Sequence, residues 1–506
     1  MAAATASSDS IRVLRARESF RDNYSLHRDP IVEERMLWRA QSLRHSMHLL
    51  PGQTILEIGA GAGYFTRQLY AVTRGENPIT AITFSSDERP RAMPAGVEHI
   101  HAQSWPDPLA GRRFDCIVTA DLLDGRSCAS FLRNAFDLLE PGGQLMLFES
   151  NPWNVVLRVG RLAGSLLRKK DPRRLLSRYR LYELMSQVGF VGILAVYNDF
   201  VYRPLTRRLV WLLRNLSIIL ENTPGIRSLA GTVLIHGRKP GEKRRLAVRG
   251  AMCEHACLVN AVSVVVPCHN EEMNVRPLVA ALMDLYGDYI RELVLVDDNS
   301  SDRTADVILQ LAREMAQVTP VIRKPPNGVG RAISDGFRAT TAPWVLSMDC
   351  DFTHLLPEFR DLFDAAVAGY DVAVGSRFSR HSVLLNYPLQ KIIANRGFHL
   401  IANIVLRRKF RDVTNNLKIM RREVVDNLRL QEPGFAVNAE TGLQPLLMGY
   451  SVREVAISWI DRTIDMGTSS FRLARVGGGY WRVLARLARQ TRFGSRLLDR
   501  PGSGRP

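Results

Sequence analysis

The sequence has no long hydrophobic run and few cysteines. No segment approaches the ~20 consecutive apolar residues that a helix needs to cross a bilayer, and the N-terminal stretch MAAATASSDSIRVLRARESF has no apolar signal-peptide core. The longest apolar run, LVWLLRNLSIIL, has twelve residues and contains Arg214. The six cysteines are scattered along the chain, which is typical of a reducing compartment. We therefore expect a cytoplasmic protein without a disulfide framework.

Acidic residues are in the minority. The chain has 50 Asp and Glu against 68 Lys and Arg, which gives a net charge of +18. Such a protein attracts nucleic acid, anionic lipid headgroups or phosphorylated substrates. No RRM, KH or zinc-finger signature is present, and this absence argues against nucleic acid as the partner.

The length of 506 residues exceeds one ordinary core and predicts two folded units. Short apolar runs alternate with helix-like segments in both units, which predicts an α/β fold with two doubly wound, mostly parallel sheets covered on both faces. The predicted boundaries are 31–240 for the first unit, 241–260 for a linker rich in Gly, Pro and charge, 261–485 for the second unit and 486–506 for a basic tail.

Polar clusters follow three of the apolar runs of the second unit: PCHNEE, VDDNSSDRT and MDCDFTH. The carboxyl ends of strands in a doubly wound sheet converge on one edge, so we expect these clusters to share a cleft. Asp349 and Asp351 are two residues apart in an extended segment and point to the same side, where they can hold Mg²⁺ or Mn²⁺ on a diphosphate. Asp297 and Asp298 are suited to hydrogen bonds with a base or ribose. A lone D-x-D is also ordinary turn chemistry.

These clusters, with NGVGRAISDGF, VAVGSRF and VREVAISWIDRT, resemble the family 2 glycosyltransferases, and most of all the dolichyl- or polyprenyl-phosphate mannosyltransferases, over about residues 262–482. The resemblance implies a nucleotide-diphospho-sugar transferase fold of the GT-A type, a UDP- or GDP-sugar donor, and a polyprenyl phosphate or glycan acceptor. The implied nucleotide pocket contains Pro267, His269, Glu271, Asp297 and Asp298. The implied metal ligands are Asp349 and Asp351, and the implied basic residues are Arg377 and Arg462 for the diphosphate and Lys391 and Arg396 for a lipid phosphate.

The acceptor determines whether a general base is needed. A lipid phosphate presents an ionised oxygen and needs none, whereas a hydroxyl acceptor needs a carboxylate within hydrogen-bond reach. Glu440, in the segment NAETG, is the residue that we assign to this role. The alternative interpretation of Glu440 is an acid at a helix start that binds a backbone amide.

The basic C-terminal segment has an amphipathic pattern. Leu484 and Leu487 define an apolar side next to Arg482, Arg486 and Arg489, which favours contact with a membrane surface. A solvated helix face is the alternative. We expect the protein to lie peripherally on the cytoplasmic face of a membrane.

The segment ILEIGAGAGYF ends an apolar run in a glycine-rich turn, where Gly59, Gly61 and Gly63 permit close approach of a ligand. With FDCIV, LLEPGGQLMLFE and YELMSQVGF, it resembles the class I S-adenosylmethionine-dependent methyltransferases over residues 31–240. The resemblance implies a Rossmann-like fold in which Glu57 and the glycines contact the methionine end of S-adenosylmethionine. The acid that binds ribose hydroxyls after the second strand is absent from ITAITFSS, and Asp87 is expected to reach back from a few residues further on.

The sequence thus predicts a metal-dependent glycosyltransferase fused to a methyltransferase that acts in the same pathway. The alternative is a glycosyltransferase that carries a non-catalytic, methyltransferase-like interaction module.

Overall fold

In the computed structural model, the chain divides into two compact units, Met1–Ala247 with Leu384–Leu389, and Val248–Val383 with Gln390–Pro506. The structure describes residues 11–22, 31–85, 90, 92–154, 174–200, 216–242, 252–379, 381–385, 387–460 and 473–492. None of the described helices combines the length and the hydropathy that are needed to cross a bilayer.

The first unit has seven strands in the order β3-β2-β1-β4-β5-β7-β6. All neighbours are parallel except β7, which is antiparallel to both β5 and β6. The strands are β1 Ile55–Ile58, β2 Ile79–Thr83, β3 Glu98–His101, β4 Phe114–Ala120, β5 Leu139–Ser150, β6 Val191–Asn198 and β7 Thr232–Arg238. The helices are α1 over residues 11–22, α2 Val32–Ser46, α3 Tyr64–Val72, α4 Cys128–Leu138, α5 Arg178–Val188 and α6 over residues 216–221.

In the first unit, the buried strands are predictable from the sequence and the exposed edge strand is not. Strands β1, β2 and β4 are buried at every position, as expected for parallel strands covered on both faces. Strand β3 lies at the sheet edge with the partly exposed sequence EHIH, so it lacks the apolar run that predicts a strand. Helix α4 ends at Leu138 and strand β5 begins at Leu139, so the residues LEPGG belong to the strand.

The second unit has a seven-stranded sheet in the order β10-β9-β8-β11-β14-β12-β15. Its strands are β8 Val262–Cys268, β9 Ile290–Asp297, β10 Val318–Ile322, β11 Trp344–Ser347, β12 Val372–Ser376, β14 Lys418–Arg421 and β15 Val452–Ala456; the short strands β13 Val383–Leu385 and β16 Ser458–Ile460 lie outside it. Its helices are α7 Glu272–Tyr286, α8 Thr304–Glu314, α9 Val329–Arg338, α10 Phe359–Val367, α11 Leu389–Leu406, α12 Arg422–Asn427, α13 Val437–Leu447 and α14 Leu473–Arg492. Both sheets confirm the predicted doubly wound α/β class.

Strand β14 is the feature of this sheet that the sequence does not predict. It is antiparallel to its neighbours β11 and β12 and separates them. Its sequence KIMR is short and begins with Lys418, so neither its length nor its composition marks it as a central strand.

The amphipathic C-terminal segment forms helix α14, but its apolar side faces inward. Leu484 and Leu487 are buried in a cluster with Phe398 and Leu443. The helix also continues through residue 486, where the sequence predicts the start of a tail. Leu484 and Leu487 are core residues, because the helix has a protein surface to pack against, and the interpretation of this apolar side as a membrane contact is wrong.

Candidate functional site

The three polar clusters of the second unit leave the same edge of the sheet. Strands β8 and β9 are parallel neighbours in which Cys268 pairs with Asp297. Strands β8 and β11 are also parallel neighbours, with Val265 opposite Ser347. The loops after β8, β9 and β11 therefore start side by side, and we call this edge the acidic rim.

The loops after β8 and β9 are joined by hydrogen bonds. His269 Nδ1 lies 3.0 Å from the carbonyl oxygen of Asp298, so this nitrogen carries the proton that it donates. The backbone amide of Glu271 donates to Thr304 Oγ1 over 2.8 Å. Pro267 and Glu271 are half-buried, whereas His269 is exposed on the rim. These bonds hold the two loops together at the acidic rim.

Asp297 and Asp298 are both buried, but their carboxylates have different partners. The oxygens of Asp297 each lie 3.3 Å from the amide of Ser300. Asp298 forms an ion pair with Arg323 and accepts a 2.7 Å hydrogen bond from the amide of Gly328. Asp298 therefore ties the loop after β9 to the start of α9, and Asp297 is the less heavily bonded of the two.

Asp349 lies half-buried just beyond β11. Its Oδ1 accepts a 2.7 Å hydrogen bond from Asn416 Nδ2. Burial raises the pKa of Asp349; the Asn416 hydrogen bond and the charges of Lys418 and Arg377 lower it, and the charge of Glu271 raises it. These charges act on one carboxylate, so Asp349 shares an electrostatic environment with the loop after β8 and with Arg377. Asp351, also half-buried, follows two residues later.

Arg377 is held by a buried carboxylate. Its Nε and Nη2 lie 2.7 and 3.0 Å from the two oxygens of Asp412, whose side chain is completely buried. Burial alone raises the pKa of Asp412, but the charge and hydrogen bonds of Arg377 outweigh it and hold that pKa well below its usual range. The ring of Trp459 lies under the guanidinium, with its centroid 5.8 Å from Arg377 Cζ.

Helix α11 carries two basic residues, of which Arg396 lies near this ion pair. Arg396 Nη1 donates to the carbonyl oxygen of Arg411 over 3.0 Å, and its guanidinium lies over the ring of Phe378 at 5.2 Å. Burial lowers the pKa of Arg396, although the charge of Asp412 opposes this. Lys391 is half-buried in the first turn of the same helix. Asp412 thus acts electrostatically on both Arg377 and Arg396.

Lys418 is a buried cation that the sequence does not single out. Its side chain is 1% exposed, and its Nζ donates to the carbonyl oxygens of Asn415 and Asn438. Burial lowers its pKa to about 7, against the opposing charges of Asp412 and Asp349. A lysine inside the run LKIM is the only signal in the sequence, and its position beside the rim depends on the pairing of β14 with β11.

Glu440 lies in the first turn of α13 and is fully buried. Its carboxylate accepts hydrogen bonds from the amides of Gln431 and Glu432 at 3.0 and 3.1 Å and forms an ion pair with Arg486. A general base must be reached by the acceptor hydroxyl, so these contacts favour the alternative interpretation, in which Glu440 binds backbone amides.

The glycine turn of the first unit joins β1 to α3. Gly59, Gly61 and Gly63 have φ values of 76°, 54° and 79°, in the left-handed region that a residue with a Cβ rarely adopts. Glu57 is 3% exposed within β1, and its Oε2 has no hydrogen-bond partner within the described residues. Burial raises the pKa of Glu57 to about 7. Asp87 and Arg462, both predicted from the sequence, lie outside the described residues.

Comparison with known proteins assigns both units. Residues 263–429 match the family model Glycosyl transferase family 2, and residues 32–195 match the model Methyltransferase domain. A dolichyl-phosphate hexose transferase from Haloferax volcanii is 30% identical over 204 residues, which make up 40% of this chain and 83% of that protein. The chain belongs to glycosyltransferase family 2. The predicted fusion of a methyltransferase domain with a family 2 domain is confirmed.

Two further proteins are similar to part of this chain. A dolichol-phosphate mannosyltransferase from Pyrococcus furiosus is 28% identical over 181 residues, 35% of this chain and 51% of that protein, so the chain spans about half the length of this relative. A crystal structure of glucosyl-3-phosphoglycerate synthase from Mycobacterium tuberculosis with Mn²⁺ and UDP-glucose covers 46% of this chain and 79% of that chain, with 18% identity and a TM-score of 0.36.

The acidic rim of the family 2 domain has suitable ligands for a hard divalent cation. Mg²⁺ and Mn²⁺ bind carboxylate oxygens and use one or two protein carboxylates plus substrate phosphates. Asp349 and Asp351 provide two such carboxylates. Burial raises the pKa of Asp349, and a nearby cation would stabilise its charged form. Within the described residues, no group of three or more His, Cys, Asp or Glu side chains is arranged to hold a metal ion by itself.

Proposed function

We propose that the family 2 domain transfers a sugar from a UDP- or GDP-sugar to a polyprenyl phosphate or a glycan, with Mg²⁺ or Mn²⁺. The observation that carries this proposal is the electrostatic environment of Asp349, which combines Asn416, Lys418, Glu271 and Arg377 around one half-buried carboxylate. Such an environment suits a cation between the carboxylate and a diphosphate. The dolichyl-phosphate sugar transferases among the relatives support the same reading of the acceptor.

Charge develops on the nucleotide diphosphate as the bond to the sugar breaks. Asp349 and Asp351 would hold the divalent cation, which would supply positive charge where the leaving group becomes anionic. Arg377 contributes further positive charge, and its ion pair with Asp412 keeps the guanidinium oriented. His269 and Glu271 on the neighbouring loop, with Asp297 behind them, bind the nucleoside.

The acceptor approaches from helix α11. Lys391 and Arg396 bind an anionic acceptor such as a lipid phosphate, whose ionised oxygen attacks without a general base. Helix α11 also exposes an apolar side at a helical spacing, formed by Ile393, Leu400, Ile401 and Ile404 with exposures of 58, 62, 42 and 69%. An apolar side next to basic residues suits an anionic membrane surface, so we propose that the protein acts peripherally on the cytoplasmic face of a membrane.

The methyltransferase domain binds S-adenosylmethionine at the glycine turn and methylates a molecule of the same pathway. Methyl transfer from a sulfonium depends mainly on how the nucleophile is positioned, and no residue is assigned as the base. Calorimetry of the full chain with S-adenosylmethionine tests this part. A micromolar signal that Gly61→Val removes is expected, and a wild-type protein that binds nothing would favour the non-catalytic module instead.

The transfer activity is tested with purified full-length protein, a panel of UDP- and GDP-sugars, and polyprenyl phosphate in liposomes. Release of the nucleoside diphosphate should require Mn²⁺ or Mg²⁺, and Asp351→Asn should lower kcat/KM on the order of 100-fold or more. Asp306→Asn, which changes an exposed acid of α8, is the matched control and should keep full activity. Unchanged turnover in Asp351→Asn, or turnover without any metal, overturns the proposal.

A further inference from the structure

Helix α1 covers the glycine turn of the methyltransferase domain. A Cβ atom at Gly61 would collide with the side chains of Arg21 and Asp22. Arg21 Nη1 also donates to the carbonyl oxygen of Ala120, at the end of β4, over 2.9 Å. The ends of β1 and β4 therefore both lie against this helix.

One residue of α1, Glu18, reaches the end of the second strand as well. Its side chain is fully buried. Oε1 accepts a hydrogen bond from the amide of Gly61 over 3.0 Å, and Oε2 accepts from the amides of Phe84 and Ser85 over 2.7 and 2.6 Å. The carboxylate thus lies where the glycine turn meets the residues that follow β2.

The residues after β2 are where the sequence lacks an acid. Carboxylates in this position of a doubly wound sheet bind the hydroxyls of a cofactor ribose, but β2 is followed by Phe84 and Ser85. We propose that Glu18 supplies the missing carboxylate from α1 and accepts a hydrogen bond from a ribose hydroxyl of S-adenosylmethionine. This inference rests on the proposed use of that cofactor.

The number of acceptor sites on Glu18 is compatible with this role. A carboxylate offers about four lone-pair sites, and the three amide bonds leave capacity for a hydroxyl. The amide bonds also hold the carboxylate in one position, whereas the carboxylate of a solvent-exposed side chain would not be held. Oε2 already accepts two of these bonds and Oε1 accepts one, so the remaining acceptor site is on Oε1.

Two arginines that precede Glu18 in α1 hold the helix in this register. Arg15 Nε donates to the carbonyl oxygen of Phe84 over 2.8 Å. Arg17 donates to the carbonyl oxygen of Leu122 over 2.8 Å and pairs with Asp124 at 2.5 Å. These contacts attach α1 to the carboxyl ends of β2 and β4, so Glu18 is positioned by the fold.

The same contacts raise the opposite possibility, in which α1 blocks the turn and the cofactor must displace it. The two cases predict opposite changes in cofactor affinity when Glu18 is removed. If Glu18 binds the ribose, its removal weakens cofactor binding; if α1 only obstructs the site, removal of Glu18 releases the amides of Gly61, Phe84 and Ser85 and strengthens binding.

Calorimetry with S-adenosylhomocysteine on the full-length protein distinguishes them. Glu18→Gln keeps the size of the side chain but removes its charge and one acceptor, and we expect affinity to fall about 10- to 100-fold, as for a hydrogen bond to a charged group. The matched control is Glu33→Gln, because Glu33 is half exposed and pairs with Arg67 on the surface of the same domain; its affinity should be unchanged. Tighter binding in Glu18→Gln, or no change, overturns the inference.

A second ligand tests the contact without relying on the fold of a variant. The 2′-deoxyribose analogue of S-adenosylhomocysteine should bind wild-type protein about 10-fold more weakly than the parent compound. In Glu18→Gln the same change in the ligand should cost much less, because the partner is already absent. Equal losses in both proteins overturn the role of Glu18. A wild-type protein that binds neither ligand instead refutes the proposed use of the cofactor, and the inference with it.

Discussion

Asn416 bridges Ser347 and Asp349 at the carboxyl end of β11, in the acidic rim. Its Nδ2 donates to Asp349 Oδ1 over 2.7 Å, and its Oδ1 accepts from Ser347 Oγ over 2.7 Å. Because Ser347 ends the strand and Asp349 follows it, Asn416 sets the orientation of the carboxylate relative to the sheet. An amide from the antiparallel side of the sheet thus positions a proposed metal ligand.

Asn416→Ala should weaken the activation of the enzyme by Mn²⁺ more than it weakens binding of the nucleotide-sugar donor. Residues that orient a metal ligand typically change metal affinity about 10- to 100-fold when they are removed. The measurement is the Mn²⁺ concentration that gives half-maximal release of the nucleoside diphosphate. Asn427→Ala is the control, since Asn427 binds the hydroxyl of Tyr450 away from the rim. An unchanged Mn²⁺ requirement in Asn416→Ala would refute the positioning role.

The Arg377–Asp412 ion pair should make the family 2 domain sensitive to acid. The pKa of Asp412 is lowered in the folded protein, so its contribution to stability is complete above the unfolded pKa of about 4 and is lost as the pH falls below it. Asp412→Asn leaves Arg377 buried without its partner and should destabilise the domain by about 3–5 kcal/mol near neutral pH.

Calorimetric unfolding of wild type and Asp412→Asn at several pH values checks this prediction. The difference between the two proteins should be largest at neutral pH and should narrow as the solution becomes more acidic than about pH 4. Asp306→Asn, an exposed substitution, should show no such trend. A constant difference at all pH values would mean that the pair does not titrate as described.

Glu57 should destabilise the methyltransferase domain at alkaline pH when no cofactor is present. Burial raises its pKa to about 7, so the folded state keeps a proton that the unfolded state releases at about pH 4.5, and stability falls as the pH rises between these values. Above about pH 7, where Glu57 is ionised in the folded state as well, Glu57→Gln should stabilise the domain by roughly 3 kcal/mol. The thermal midpoint of the domain should therefore rise in the variant at about pH 8 and change little at about pH 4; an equal shift at both would contradict the assignment.

The exposed side of α11 should control binding to lipid. Leu400→Glu with Ile404→Glu removes two apolar side chains, each of which gains roughly 1.5–3 kcal/mol on full burial, so binding to vesicles that contain phosphatidylglycerol should fall at least about 10-fold. Sedimentation with the vesicles measures this. Leu309→Glu is the control, because Leu309 is 41% exposed on α8. If both variants bind vesicles equally well, the α11 side is not the contact.

Much of the acidic rim follows from local sequence. Each polar cluster stands directly after a buried apolar run, and the carboxyl ends of neighbouring parallel strands share an edge, so the proximity of Cys268, Asp297 and Ser347 is predictable from strand order. The same reasoning identifies Gly59, Gly61 and Gly63, because a positive φ in a turn after a strand restricts the residue type.

The partners of these residues are not predictable in the same way. Asn416 and Lys418 reach the rim through an antiparallel strand, Arg323 reaches Asp298 from a different strand, and Glu18 reaches Ser85 over an interval of 67 residues. No local pattern specifies such pairings. The C-terminal helix shows a different limit of the sequence. An amphipathic pattern indicates that one side of a helix is apolar but not what covers that side. Here Leu487 is covered by the domain itself.

The sequence alone determined the class of both domains, the alternation of apolar strands with helices and the residue types at the ends of those strands, because hydrophobic periodicity and backbone geometry are local properties. The tertiary structure decided which carboxylates are already bound, as Asp298 and Glu440 are, and which basic and amide groups surround Asp349. Burial and charge depend on segments far apart in the chain, and those segments meet only when the sheet is assembled.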